Sequence, residues 1–198
     1  FLTSESKEYV ATLSLGTSTD TYDASGKIIE TKEFHALDNN EIVACFNNFI
    51  GSQEQKPPIY SAIKVNGKKL YEYARAGEQV EVPTRSVTVN HLEILQIENN
   101  LIKFKVGCSK GTYIRSLCYD LAKALGYPGH MKDLIRTKSG NFSLENCFTL
   151  EQIENGEYTT VSLEEALNSY QQLVVDDEKI IFHGKKIKSD LNEQVVIL

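Results

Sequence analysis

The sequence predicts an α+β fold, mostly an antiparallel mixed sheet with flanking helices, and three observations carry that expectation. Residues 8–15, EYVATLSL, alternate apolar and polar positions as a half-buried strand does. Residues 86–97 and Leu101–Cys108 are two more strands separated by Glu98-Asn99-Asn100, which is a hairpin pattern. After Gly111-Thr112, the residues Ile114, Leu117, Cys118, Leu121 and Leu125 recur three or four apart, an amphipathic helix that Gly126 ends.

The remaining elements follow in chain order. Gly16 ends the first strand, and residues 17–26 (TSTDTYDASG) form a polar loop; a second strand is expected over 27–34. Asp38 caps a helix expected over 37–50, with Ile42, Val43, Phe46, Phe49 and Ile50 as its apolar set and Gly51 as its stop. Pro57-Pro58 forces an extended entry into a strand at 59–65. Asn66-Gly67 is a tight-turn signal, and a short helix over 69–76 ends at Gly77. Residues 131–137 are expected as a helix or turn and 141–148 as a strand, around Ser139-Gly140. Ser162 opens a short helix with capping-box spacing, and 180–182 and 195–198 are expected as short strands of a small module.

The 198 residues carry 21 Lys+Arg against 27 Asp+Glu, a net charge of −6, and the imbalance is local. Residues 1–138 hold 17 basic and 16 acidic side chains, whereas 139–198 hold 4 and 11. Two segments are basic: 56–75, with Lys56, Lys64, Lys68, Lys69 and Arg75 against Glu72, and 103–138, with eight cations against Asp120 and Asp133. Phosphate contacts need local rather than global charge, so these segments suit a polyanion on one face; solvated helix and strand faces are the plain alternative. Tyr60, Tyr71 and Tyr73 interleave with the first basic run, which allows base stacking beside phosphate contact, although Tyr71 can equally pack inward with Leu70 and Ala74.

Several classes of function are excluded or unsupported. No run approaches the roughly 18 apolar residues of a membrane helix. No signal-peptide pattern opens the chain, and a first residue of Phe1 suggests a processed or incomplete polypeptide. Four Cys and four His are scattered without metal-ligand spacing, so no metal is expected, and reduced thiols in the cytoplasm are. There is no P-loop, G-x-G-x-x-G, H-E-x-x-H or G-x-S-x-G. Asp20 and Asp23 read as turn formers that hydrogen-bond their own loop, with a carboxylate pair as the sharper alternative. Arg115 stands in the first turn of its helix, where a cation is mildly unfavourable; a carboxylate partner or a phosphate would explain it, and so would plain solvent exposure.

Four stretches together resemble one family. They are KEYVATLSLGTSTDTYDASG (7–26), PPIYSAIKVNGKKLYEYARAG (57–77), CSKGTYIRSLCYDLAKALG (108–126) and LIRTKSGNF (134–142). In that order they are similar to the TruB-type tRNA pseudouridine synthases, which convert a uridine of the tRNA T arm (position 55) to pseudouridine without metal or cofactor. The resemblance implies an incomplete pseudouridine synthase fold over 1–170, with a thumb-like insertion at about 51–84, and the start of a small PUA-like β-rich module over 171–198. It implies that Tyr9 stacks on the target base, standing in for the neighbouring bases once the nucleotide is flipped out of its loop. It also implies that Arg115 pairs with the catalytic aspartate, and that Leu134 is an apolar pocket residue beside the uracil. Tyr60, Lys64, Lys68, Lys69 and Arg75 in the insertion, with Lys110 and Arg136 in the second basic segment, become the expected RNA contacts.

One departure qualifies this. The family's nucleophilic Asp sits in a G-x-L-D-P segment upstream of the strand that begins near residue 7, and nothing in 1–198 matches it. Asp20 and Asp23 belong to the downstream loop and do not take that role. The expectation is a chain inactive by itself, prone to self-association through the surface its missing neighbour would cover. Two alternatives stand beside it: a non-catalytic tRNA-binding or tRNA-folding module, and an α+β protein with no RNA role.

Overall fold

The computed structural model describes residues 6–168, 170–173, 179, 182–183 and 195–197. The chain divides into two compact units, 1–145 and 146–198.

The first unit is built on a six-stranded sheet. Its members are β1 (Lys7–Leu15), β4 (Gly51–Gln55), β7 (Arg85–Glu98), β8 (Leu101–Cys108), β9 (Gly129–Ser139) and β10 (Phe142–Ser143), in the order β10-β9-β1-β8-β7-β4. Every pairing within it is antiparallel. Two smaller ribbons stand outside: β2 (Thr17–Thr19) with β3 (Ile28–Thr31), and β5 (Lys64–Val65) with β6 (Lys68–Lys69). The helices are α1 (Asn39–Asn47), α2 (Leu70–Ala76) and α3 (Ile114–Ala124).

Alternation along the central strands decides which face is covered. Ala11, Leu13 and Leu15 of β1 and Ile102, Phe104, Val106 and Cys108 of β8 are almost fully buried. They pack with Ile42 and Phe46 of α1 and with Ile114, Leu117, Cys118, Leu121 and Ala122 of α3. Phe46 meets Phe104 edge to face, ring centres 5.4 Å apart. Lys103, Glu93, Gln96 and Glu98 line the opposite face and are exposed. The two helices therefore cover one side of the sheet.

Most local signals operate as the sequence implies. Asp38 caps α1, its side chain accepting the Asn40 N–H at 2.7 Å. Asn66 and Gly67 take left-handed conformations (φ 51° and 81°) that close the β5–β6 hairpin. Residues 131–137 differ: they belong to β9, an extended strand, not a helix or turn. The strands expected over 27–34, 59–65 and 141–148 shorten to β3, β5 and β10.

In the second unit, a capping box at Thr149 and Gln152 starts α4 (Leu150–Glu154), and Ser162 caps α5 (Leu163–Ala166). Here β11 (Gln171–Leu173) pairs in parallel with β12 (Val195–Ile197). Of the strand expected at 180–182, residues 180 and 181 lie outside the described residues, and the His183 N–H bonds to the Lys179 carbonyl.

Candidate active site

β1 and β9 set the floor of the site. Their register places Tyr9 opposite Arg136 and Ala11 opposite Leu134, and cross-strand partners share a face. Because Ala11 faces the helices, Tyr9, Leu134 and Arg136 open on that same side. Tyr9 packs against the core cluster that contains the start of α3, while Leu134 is 40% exposed. Burial, the largest influence, pushes the Tyr9 hydroxyl above its usual range; Cys108 adds to this and Arg136 opposes it. The phenol is thus kept neutral.

Arg115, in the first turn of α3, reaches three groups. Its Nη1 donates to the Thr21 carbonyl at 3.0 Å and to Asp23 Oδ2 at 3.2 Å, and its Nη2 donates to the Tyr60 carbonyl at 2.9 Å. Both charged side chains are 22% exposed. The other Asp23 oxygen, Oδ1, accepts from Thr21 Oγ1 at 2.8 Å, from the Ser25 N–H at 3.0 Å and from the Ser25 hydroxyl. Burial raises the Asp23 pKa, but the hydrogen bonds from Ser25 and Thr21, with the Arg115 charge, outweigh it and hold the carboxyl below its usual range. Asp20 keeps the role of turn former: its Oδ1 accepts the Lys27 N–H at 2.8 Å. Gly26 lets the loop close, since a Cβ there would press into Thr21 Oγ1 and Asp20 Oδ1.

This loop and the insertion are both fastened to the scaffold. Met131 of β9 donates its N–H to the Tyr22 carbonyl at 2.9 Å and accepts from the Ala24 N–H at 3.0 Å. On the insertion side, Gln55 exchanges two hydrogen bonds with the backbone of Tyr113 (2.8 and 3.1 Å), and Ser116 Oγ donates to the Lys56 carbonyl at 2.7 Å. Together with the Arg115–Tyr60 bond, these pin the stem of residues 55–60 to the first turn of α3.

Three cations of the insertion, Lys68, Lys69 and Arg75, are already engaged with its own side chains. Lys68 pairs with Glu78 at 2.8 Å and lies over the Tyr73 ring. Lys69 and Arg75 both lie over the Tyr71 ring, at 5.4 and 5.2 Å from its centre. Lys64 and Lys110 are exposed. The structure thus groups Tyr9, Leu134 and Arg136 on one face, places the Tyr60 carbonyl on Arg115, and sets Lys64, Lys68, Lys69 and Arg75 together on the insertion.

The carboxylate partner that Arg115 invited is Asp23, which its loop context marks only as a turn former. The signal was present in the unfavourable Arg at a helix start and in an acidic loop, but nothing local joins residues 92 positions apart. Tyr22, Tyr119 and Gln55 carried no signal of their role. Among the described residues no group of three His, Cys, Asp or Glu side chains is placed to hold a metal ion, and no described helix is long and apolar enough to cross a membrane.

The fold of this chain is shared with chains of known structure. A chain in the crystal structure of a Cbf5-Nop10-Gar1 complex superposes over 90% of this chain and 49% of its own, with a TM-score of 0.63 and 26% identity. A chain of an H/ACA RNP bound to a substrate RNA containing 2′-deoxyuridine matches in fold over all of this chain and 56% of its own, with a TM-score of 0.65 and 22% identity. The family model described as TruB family pseudouridylate synthase (N terminal domain) matches residues 1–114, and that of the tRNA pseudouridylate synthase B C-terminal domain matches 115–175. The chain belongs to the TruB family of pseudouridylate synthases. It is 44% identical to tRNA pseudouridine synthase B of Bacillus anthracis over 206 residues, covering 96% of this chain and 67% of that protein. It is 43% identical to the protein of the same name from Clostridium tetani, covering 95% and 66%. It therefore spans about two thirds of the length of these curated relatives.

Proposed function

We propose that the sheet face carrying Tyr9 and Leu134, on the side where Arg115 of α3 lies, takes a flipped uridine of the tRNA T arm, at position 55, as the substrate base of a pseudouridine synthase. The observation that carries this reading is the Arg115–Asp23 pair, a guanidinium fixed by three acceptors on the side of the sheet that the Tyr9 ring also faces. In the proposal Tyr9 stacks on the uracil, Leu134 closes its apolar side, and Arg115, held by Asp23, orients an attacking carboxylate that is not Asp23. The N–C glycosidic bond is exchanged for a C–C bond, the ring carbon giving up its proton and the freed ring nitrogen taking one, with the carboxylate released unchanged. Tyr60, Lys64, Lys68, Lys69, Arg75, Lys110 and Arg136 serve as RNA contacts, those of the insertion (51–84) closing over the stem-loop. The catalytic portion runs over 1–170, 171–198 begins the C-terminal module, and the protein works in the cytoplasm.

A second reading concerns this chain by itself. Asp23, the carboxylate on Arg115, has both oxygens hydrogen-bonded and its pKa held low, which makes it a poor nucleophile. Residues 1–198 alone are proposed to bind T-arm RNA without turning it over, acting as a tRNA-binding or tRNA-folding module. The exposed Ile28 and Ile29 of β3 (65% and 63%) are the proposed surface for self-association. Primer-extension mapping of pseudouridine after incubation with T-arm stem-loop RNA separates the two readings: product from the purified chain overturns inactivity. Absence of salt-dependent binding to the stem-loop overturns both.

A further inference from the structure

Among the described residues three non-glycines have positive φ, and two of them, Asn66 and Asn99, are asparagines in hairpin turns. The third is Tyr22 (φ 63°), a bulky residue in a conformation that side chains of its kind rarely adopt. Its ring stacks on Tyr119 of α3, with centres 4.3 Å apart and planes within 17°. Tyr119 lies four positions after Arg115, hence on the same face of the helix. Asp23, the next residue after Tyr22, reaches Arg115 at 3.2 Å. Two successive loop residues thus clasp two successive turns of one helix.

In extended backbone, adjacent side chains point to opposite sides. The left-handed turn at Tyr22 is what brings its ring and the Asp23 carboxylate toward α3 together. The Tyr22 N–H bonds to the Thr19 carbonyl at 3.2 Å and its carbonyl accepts from Met131, so the backbone is held from both sides as well. We infer that Tyr22 is a positioning residue, its stack on Tyr119 fixing the loop so that Asp23 meets Arg115. This rests on the reading of Arg115 as part of the base site, but its first measurement does not use RNA.

That measurement is the carboxyl carbon NMR titration of Asp23 together with the guanidinium resonances of Arg115. The charged and polar groups facing Asp23 are Arg115 from α3 and Thr21 and Ser25 from its own loop; Asp120 faces Tyr22. Two variants remove the stack differently. Tyr119→Ala keeps a good helix former, and Tyr119 lines an open cleft with Lys32, Lys123 and Tyr127, so trimming it leaves no sealed void. Tyr22→Gly permits the left-handed backbone without steric cost and deletes the ring.

In both variants the Asp23 titration is expected to move up toward the ordinary carboxylate range and the Arg115 signals to shift toward free guanidinium. Tyr22→Phe, which keeps the stack, is expected to match the parent. Unchanged Asp23 and Arg115 signals in Tyr22→Gly and Tyr119→Ala overturn the inference. So does an Asp23 titration that moves equally in Tyr22→Phe. Should Tyr119→Ala lose its cooperative melt, Tyr119→Leu and Tyr22→Gly carry the same comparison. T-arm binding by the same variants is the separate arm. A shifted Asp23 with unchanged RNA affinity upholds the positioning role and counts against the proposed base site.

Discussion

The guanidinium of Arg115 stands 3.2 Å from Asp23 Oδ2 and 2.9 Å from the Tyr60 carbonyl, so one side chain of α3 fastens both the loop after β2 and the stem of the insertion. Replacing it with Met keeps most of the volume and removes all three donated bonds, leaving a half-buried carboxylate facing an apolar chain. Arg115→Met is expected to cost about 2 kcal/mol in urea unfolding. Arg115→Lys restores a point charge without the planar fork that reaches two acceptors on different segments, and recovers less than half of that.

Acid should act through the same pair. Asp23 and Glu8 both have lowered pKa values: for Asp23 hydrogen bonds and Arg115 outweigh burial, and for Glu8 the Thr137 hydroxyl leads, opposed by burial and aided by Lys105, His91 and Lys138. A folded-state pKa below the unfolded one gives stability that is full above the unfolded value and is lost as pH falls through the folded value. Urea midpoints are therefore expected to drop as the pH falls below the ordinary carboxylate values of 3.8 and 4.5. Asp23→Asn should be less stable than the parent at pH 7, with the two curves converging in acid. Asp120 has the opposite sign, since burial raises its pKa against the pull of Lys123, and Asp120→Asn should stabilise the chain at neutral pH.

RNA binding should respond to Glu78 in the reverse sense from the lysines. Glu78 holds Lys68 at 2.8 Å, in direct competition with any phosphate. An exposed pair is worth at most about 1 kcal/mol, so Glu78→Gln is expected to tighten T-arm binding by up to about fivefold. Lys64→Ala should weaken it and lower the salt slope by about one. Fluorescence anisotropy at several salt concentrations reads both.

Packing at the start of β9 leaves no room for a side chain. A Cβ on Gly129 would collide with the Ala122 methyl of α3 and sit 3.0 Å from the Ser14 carbonyl. Gly129→Ala is expected to cost about 1–3 kcal/mol. Ala122→Gly in the same chain should recover part of it despite its own helix cost of about 1 kcal/mol, and calorimetry on the four-member cycle measures the coupling.

What the sequence made legible depended on period and on distance along the chain. β1, the β7–β8 hairpin and α3 each bury one face cleanly, so their apolar positions repeat at two or at three and four. β9 escaped because its pattern is broken twice. Register shifts fall between Glu8 and Tyr9 and between Thr12 and Leu13, and Leu134 and Ile135 are both exposed although they are neighbours. α4 went unread in the sequence: Thr149 and Gln152 form a capping box, but five residues are too few for a visible stripe. Asp23 was half legible: Oδ1 makes the local turn bonds its type implies, while Oδ2 serves Arg115 from a distant segment.

The place of β1 between β8 and β9 has a consequence for biosynthesis. Tyr9 has its neighbours in Val106 and Arg136, so the middle of the sheet is zipped by its most distant segments. At ordinary ribosomal speeds β1 spends on the order of ten seconds with both edges bare before β8 emerges, and longer with one edge bare before β9 does. Such non-local pairing makes for slow folding, and the nascent strand is the segment a holdase chaperone would be expected to grip.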